Sequence, residues 1–311
     1  MNIMEVVLTI LHVLIHFTVA ATFPPLLLGI INKTKALFAG RVGPPLLQPY
    51  YDLLRLFQKG SVFSTTTSWV FRAGPVVGLA AVAMALLFVP LGHHAAPLSF
   101  TGDLILLAYL LGLARFVTAA AALDTGSPFE GMGAAREVTF GCLAEPALFF
   151  GLLVMAKLSK SLQVSTMLGD AVEADWQVAA APLVLVAASW FIVMLVENCR
   201  IPFDDPNTHL ELTMVHEVMV LDHSGPALGM ILYTAALKLF LFGALIVRIA
   251  VPVSTVNGFA DWPLFLAAMA VLAVVIGVVE SVLARLRLVA IPQLLVAAGL
   301  LAAFGMVLLT K

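Results

Sequence analysis

Long apolar blocks alternate with short polar stretches along this chain. A helix that crosses a bilayer needs roughly 20 mostly apolar residues. Segments of that kind run at about 3–31, 71–91, 102–123, 134–157, 178–198, 226–250, 262–284 and 288–310. Lipid offers no hydrogen bonds to the backbone, so such runs must be helices or the strands of a closed barrel. Barrel strands would be short and would alternate in polarity, and that pattern is missing here. The pattern therefore predicts an all-α, polytopic membrane protein with about eight transmembrane helices. No internal repeat or low-complexity linker interrupts it, so residues 1–311 read as a single membrane-embedded domain.

Two polar intervals stand out, a loop at 32–70 and an acidic loop at 198–225. In the first, "PPLLQPYYDLLRLFQKGS" places Leu46, Leu47, Tyr50, Leu53, Leu54 and Phe57 near helical spacing, with Asp52, Arg55, Gln58 and Lys59 largely elsewhere. That spacing predicts an amphipathic helix at the membrane surface. Such a helix caps the bundle, docks a partner or lines an entrance for a lipophilic molecule.

Orientation follows from the cations. Lys33, Lys35, Arg41, Arg55, Lys59, Arg72, Arg200, Arg285 and Arg287 fall in or beside alternate loops, whereas the opposite set holds Lys157, Lys160, Arg248 and Lys311. The positive-inside rule puts the first set in the cytoplasm and both termini outside. The N-terminus "MNIMEVVLTILHVL" has no basic start and no small-residue cleavage site, so it reads as a retained span rather than a signal peptide.

Composition agrees. The chain is 62% hydrophobic and only 11% charged, with a mean hydropathy of +1.07. Soluble domains carry about 25% charged residues. A net charge of −2 gives no footprint for nucleic acid. Cys142 and Cys199 form neither a metal-ligand spacing nor a disulfide framework.

Against that background, Arg115, Glu137, Glu145, Glu197, Lys238 and Glu280 fall inside predicted spans. Each costs about 2.5–3.5 kcal/mol at a helix centre on insertion scales, and such residues mark ion or proton routes. Glu137 and Glu145 lie about 12 Å and about 80° apart on one helix, spaced as successive stations of a path. Pro146 is expected to loosen the helix beside Glu145. The structural alternative is buried ion pairing, for instance Arg136 with Glu137 and Arg200 with Glu197. Between 130 and 222 the acids outnumber Arg136, Lys157, Lys160 and Arg200, which favours a proton relay over pairing. Lys238 is either a paired charge or a gating charge.

His209, His216 and His223 recur every seven residues and would share a face of a continuous helix. Helical metal ligands usually sit three or four apart, so these read as proton-handling groups active near neutral pH or as surface contacts. His12 and His16 read as helix-packing residues.

The segments "ENCRIPFDDPNTHLELTMVHE", "GRVGPPLLQPYYDLLRLF" and "DTGSPFEGMGAAREVTFG" together resemble the membrane subunit that anchors the peripheral arm in respiratory complex I, the subunit 1 family. They are more similar still to the branch found in membrane-bound [NiFe]-hydrogenases of the formate hydrogenlyase and hydrogenase-4 type. The resemblance covers most of the chain. It implies a subunit with no redox centre of its own. Iron–sulfur clusters and a Ni–Fe centre are expected in its partners: hydrogenase large and small subunits, an iron–sulfur subunit and, in the bilayer, antiporter-like subunits. It implies a passage for protons (or sodium) through Glu137, Glu145, Glu197, Asp204 and Glu211, with Glu217 and Lys238 as further candidates. It also implies partner-docking loops that contain Arg41, Gly43, Asp124, Ser127, Arg136, Arg200 and Asp205.

The quinone-reducing branch is glutamate-rich after P-F-D, whereas Asn207 and His209 stand there in this chain. That difference favours the hydrogenase branch. A quinone-site subunit and a stand-alone ion transporter remain as alternatives, the latter weakened by the lack of repeats.

Overall fold

The computed structural model describes residues 3–169, 171–204, 214–252 and 259–310. It is helical almost throughout: α1 (Ile3–Thr22), α2 (Pro24–Phe38), α3 (Gln48–Gln58), α4 (Trp69–Leu86), α5 (Asp103–Asp124), α6 (Pro128–Ser159), α7 (Val164–Met167), α8 (Ala171–Glu197), α9 (His216–Met219), α10 (Gly225–Ala250), α11 (Asp261–Val282) and α12 (Ile291–Leu308). Seven of these helices are long and apolar enough to cross a membrane, and α1 with α2 forms a bent eighth candidate. The all-α polytopic architecture expected from hydropathy is present, with most ends within a few residues of those predicted.

The first span differs from its prediction. The apolar run to about 31 suggested one continuous helix, but α1 and α2 meet at a 45° bend. Pro24 and Pro25 carry no N–H, so the carbonyls one turn earlier lose their helical donors. The helix restarts with Leu26 N–H donating to Phe23 O at 3.0 Å. Two tyrosines fill the gap: the Tyr233 hydroxyl donates to Ala21 O at 2.7 Å, and the Tyr50 hydroxyl donates to Thr22 O. Tyr50 lies on α3, the amphipathic helix the sequence predicted, so α3 is tied directly to the break.

Proline acts differently in the other spans. α8 is kinked at Ala179, just before Pro182. α6 instead continues as a helix through Pro146 for 32 residues, so the expected loosening beside Glu145 does not break it.

α10 is the most deeply buried span and packs against α2, α3, α4, α8 and α11. α6, α8 and α12 form a second packed group. At its centre Trp190 is fully buried, and its ring lies where a side chain at Gly151 would have to go. Outward faces carry exposed apolar residues such as Ile10, Leu14, Val271 and Leu300, as a lipid-facing surface should.

The connections sort to two ends of the bundle. At one end, Val62 N–H donates to Ser224 Oγ at 3.0 Å, Ser68 N–H to Asp124 Oδ2 at 2.6 Å, and Leu286 N–H to Pro202 O at 2.9 Å. This loop end joins the segments around 39–68, 125–127, 198–204, 214–224 and 283–290. At the other end, Gly102 N–H donates to Leu162 O at 3.1 Å and Trp262 Nε1 to His12 Nδ1 at 3.2 Å.

Candidate functional site

Arg115 is the hub of the site. It sits on α5 and reaches across α6 at Gly141, where a Cβ would collide with its guanidinium. The planar fork of five donors lets one arginine serve several carboxylates at once. Nη1 contacts Glu145 Oε1 at 2.6 Å, Nη2 contacts Glu197 Oε1, and Nε lies 3.8 Å from Glu137 Oε1. The second oxygen of Glu197 takes Lys238 Nζ at 2.7 Å. Residues from α5, α6, α8 and α10 thus meet at one point inside the bundle.

Three carboxylates here face two fixed cations, so the cluster carries one surplus negative charge when all are ionised. Glu197 is the best compensated, with a cation on each oxygen and a side chain 6% exposed. Glu137 is buried, 3.8 Å from Arg115 Nε, and also feels the charge of Lys238. The Glu145 side chain is 47% exposed and opens onto an outward groove lined by Tyr109, Gly112, Phe116 and Phe149. On the other side of Arg115 a cavity of about 60 Å³ is lined by Glu137, Glu197, Asn198, His216, Thr234 and Lys238 among others. One water needs roughly 10–15 Å³, so a small cluster fits.

A second set of pairs ties down the acidic stretch. Glu280 on α11 contacts Lys35 at 2.8 Å and Arg200 at 3.3 Å. Asp204 contacts Arg285 at 2.7 Å and accepts the Val215 N–H at 2.9 Å. For Glu137, Glu145, Glu197 and Asp204 the expectation that acids go unopposed is thereby corrected, whereas Glu130 and Asp175 each keep a buried carboxylate oxygen without a hydrogen-bond partner among the described residues. The cations that do oppose acids here, Arg115, Lys238, Lys35 and Arg285, come from elsewhere in the chain, so a count along 130–222 could not register them. The neighbour pairs are corrected as well. Glu197 pairs with Arg115 and Lys238, Arg200 pairs with Glu280, and Arg136 donates to Met214 O at 2.9 Å. Residues adjacent on a helix point about 100° apart.

The other sequence candidates fall as follows. Lys238 is a paired charge. Glu217 lies in the short helix α9. Asp205 and Glu211 lie outside the described residues, as does His209. Arg41 and Gly43 are exposed on the loop end, and Gly43 has φ +67°, a conformation that favours glycine. Asp124 caps the start of α4 through Ser68 and Phe71. Ser127 is the N-cap residue of α6. His216 begins α9 and His223 lies in the following loop, so no continuous helix aligns the histidines. Burial lowers the pKa of both to about 4. They are neutral near pH 7, contrary to the expected titration there. His223 is stacked on Phe71, with centroids 3.9 Å apart. His16 contacts Leu86 O and His12 stacks with His94, the packing roles expected of them. Among the described residues no group of three or more His, Cys, Asp or Glu is placed to hold a metal ion.

Sequence reasoning flagged Arg115 as an ionisable residue within a span but left it out of the candidate passage. It also missed Glu130, buried near the start of α6, whose Oε1 accepts the Asp222 N–H at 3.2 Å. The signal for Arg115 was plain, a lone arginine in mid-span. Glu130 gave none, since it sits in a loop-like stretch where exposed acids are common.

Comparison with known proteins agrees with this architecture. The family model described as NADH dehydrogenase matches residues 9–311. Formate hydrogenlyase subunit 4 of Escherichia coli (strain K12) is 33% identical over 294 residues, 92% of this chain and 94% of that protein. Hydrogenase-4 component C of the same organism is 34% identical over 228 residues, 73% of this chain and 71% of that one. Among solved structures, a chain of the membrane-bound sulfane sulfur reductase, an archaeal respiratory membrane complex, superposes with a TM-score of 0.80. That match is 23% identical and covers 96% of this chain and 99% of that one, so it bears on the fold. The family match spans nearly the whole chain and is joined by a relative of almost full length at one-third identity; the chain therefore belongs to the NADH dehydrogenase family, as a membrane subunit like subunit 1 of complex I.

Proposed function

We propose that this chain is the membrane anchor subunit of a multisubunit [NiFe]-hydrogenase complex. It sits in the cell's inner (cytoplasmic) membrane with both termini external. Its loop end docks the peripheral electron-transfer arm, and its buried carboxylates couple redox chemistry there to proton translocation. The iron–sulfur clusters and the Ni–Fe centre belong to the partner subunits. The carrying observation is the Arg115 hub, which joins three carboxylates and Lys238 between an internal cavity and an outward groove. The two E. coli relatives support the hydrogenase branch by their names.

The chemistry follows from charge. Arg115 and Lys238 hold Glu197 as a fixed anion. Glu137, facing the cavity, is the carboxylate best placed to take up and release a proton. Glu145 is the next carboxylate: it shares a small cavity with Arg115 and Glu197 through which water would carry the proton, and it opens to the groove beside which an antiporter-like subunit would lie, while Arg115 keeps its own proton and holds the carboxylates in place. Two unit charges 4 Å apart interact by roughly 4 kcal/mol at an effective dielectric near 20. A change of about 1.36 kcal/mol moves a protonation equilibrium tenfold. Asp204 acts on Glu137 through space, so displacing one charge of the Asp204–Arg285 pair at the loop end would bias the protonation of the path.

The test is to tag the protein, purify it from native membranes in mild detergent and assay the material for nickel, iron and hydrogen evolution. Nickel with hydrogen activity is expected. Iron and flavin with quinone reduction but no nickel would assign it to the quinone-reducing branch. Purification alone and free of metal would overturn the anchor reading. Glu137→Gln in the complex is then expected to abolish proton movement while hydrogen chemistry stays within about twofold.

A further inference from the structure

The end of the bundle opposite the loop end gathers four histidines that the proton route does not use: His12, His16, His93 and His94. Two of them accept hydrogen bonds from groups that can only donate. His12 Nδ1, on α1, takes the Trp262 Nε1–H at 3.2 Å. His93 Nε2, in the turn after α4, lies 2.9 Å from Arg248 Nη1. Indole and guanidinium have no acceptor, so each of these two ring nitrogens carries no proton. The His94 ring stacks on His12, with centroids 4.1 Å apart, and on Trp262 at 4.6 Å.

These contacts bear on how α1 is held. Among its described side chains only His16 and Ala20 are buried, while Ile10, Leu11, Leu14 and Phe17 face outward. His12 fastens α1 to the start of α11, and His16 fastens it to Leu86 O at the end of α4. Arg248, in the last turn of α10, joins His93 to Leu168 O just past α7.

We propose that His12 and His93 are the two catches of an acid-released clasp, which fastens α1 and the 91–94 turn to α11 and α10 near neutral pH and opens when the solution bathing that end turns acid. Imidazole is the side chain that ordinarily changes charge between pH 5 and 8. His12, His93 and His94 are partly exposed, so protons reach them. A charged ring carries N–H on both nitrogens. Protonated His12 would set N–H against the indole N–H, and protonated His93 would set a cation against Arg248. Charging His12 and His94 together would also stack one cation on another.

The other titratable groups at this end fit the same direction. His16 is buried against Leu86 O. Glu5, seven positions before His12, is the remaining titratable residue of α1. Asp261, at the start of α11, is the one acid lining a small cavity shared by His93 and Arg248. It offers a charged His93 a second partner, which draws the ring off Arg248 and opens that catch too. Contacts made only by a neutral ring are complete above the range in which imidazole charges and are lost as pH falls through it. The clasp does not rest on the hydrogenase reading; only the compartment it samples, the external one, follows from the proposed orientation.

The test uses the intact complex in mild detergent. Hydrogen exchange is followed by mass spectrometry at pH 7.5 and pH 5.5, as protection factors relative to intrinsic exchange at each pH. Ordinary carboxylates stay ionised at the lower value. Peptides covering 91–98 and 259–264 are expected to lose protection by about threefold or more at pH 5.5. In a double variant, His12→Gln with His93→Gln, each amide oxygen still accepts from Trp262 or Arg248 but takes up no proton, and the loss is expected to disappear. The 214–224 segment at the other end should keep its own pH response there, which shows that the variant is folded. Equal protection of the two outer peptides at both pH values in the unmodified complex overturns the clasp, whatever the variant does. A full loss that persists in the double variant overturns it as well.

Discussion

At the scale of single residues, the acids of this site differ in what they hold together. Glu197 takes a cation on each oxygen, so Glu197→Gln removes the carboxylate bridging Lys238 to Arg115; Arg115 keeps Glu145 and Glu137, and Lys238 loses its ion pair. Breaking a buried pair from one side costs about 3–5 kcal/mol. A purified complex carrying Glu197→Gln should melt markedly earlier, whereas Glu137→Gln, which removes the surplus charge, should change stability by less than about 1 kcal/mol. Equal melting of Glu197→Gln and the parent would refute the bridging role. Gly141 supports the same hub from the other side. Gly141→Ala puts a methyl group where the guanidinium lies, and overpacking of that kind costs typically 1–3 kcal/mol. It should also uncouple proton movement much as loss of Arg115 would, since Arg115 loses its seat across α6. The acids themselves were legible in the sequence because charge is rare in apolar runs. Their partners were not: Arg115 and Glu197 are 82 positions apart, and hydropathy gives no helix rotation.

At the scale of elements, the break between α1 and α2 carries a stability prediction. Tyr233 donates to Ala21 O, whose helical donor would be the N–H that Pro25 lacks, and Tyr50 donates to Thr22 O, whose i+4 donor, the Leu26 N–H, is turned to Phe23 O. Replacing either by Phe leaves that carbonyl short of its partner at about 1–3 kcal/mol, seen as a lower melting temperature of the complex. An unchanged midpoint in both variants would mean that lipid or water serves those carbonyls equally well. The segment from 214 to 224 carries a pH prediction. His223 titrates at about 4 in the fold against an ordinary value of 6.5, so the unfolded segment binds the proton more tightly. Its stability is full above about pH 6.5 and is lost progressively as pH falls toward 4. Amide protection factors across this segment, taken relative to the slower intrinsic exchange at lower pH, should fall between pH 7 and pH 5. His223→Phe, which keeps the stack on Phe71, should remove its share of that dependence and leave the share of His216, whose pKa burial also lowers to about 4. Elements were the most legible level. Seven long spans and the amphipathic α3 announce themselves because lipid demands continuous apolar runs and an interface demands a sided helix. The prolines at 24 and 25 were equally visible, but the apolar run continues past them, and hydropathy alone does not register a bend. The seven-residue spacing of His209, His216 and His223 misled for a related reason. Periodicity means a shared face only on a continuous helix, and α9 ends at Met219.

At the scale of the whole molecule, the loops fall into two groups at opposite ends of the bundle, and the sites are arranged between them. The loop end gathers Arg41, Arg55, Lys59, Arg200, Arg285 and Arg287, and the opposite end holds Lys157, Lys160 and Arg248. The cation bias therefore acts on entire faces of the fold, not on scattered loops, which makes the positive-inside argument testable at two points. Ser64 lies exposed in the 59–68 segment of the loop end, and Leu162 is 47% exposed at the far end beside Gly102. In intact spheroplasts a membrane-impermeant maleimide should label Leu162→Cys at once and Ser64→Cys only after permeabilisation. Cys142 and Cys199 are expected to contribute little background, because Cys199 is buried, burial raises its thiol pKa well above the ordinary value, and Cys142 lies within the span of α6. The opposite labelling pattern would turn the molecule over. The Asp204–Arg285 pair and the cavity of Glu137 would then open toward the outside, and a peripheral arm bound to the loop end could not be cytoplasmic. The expected pattern leaves the loop end facing the electron-transfer partners, with the Glu145 groove opening sideways into the membrane, the geometry needed to turn a redox event in water into proton movement within the bilayer.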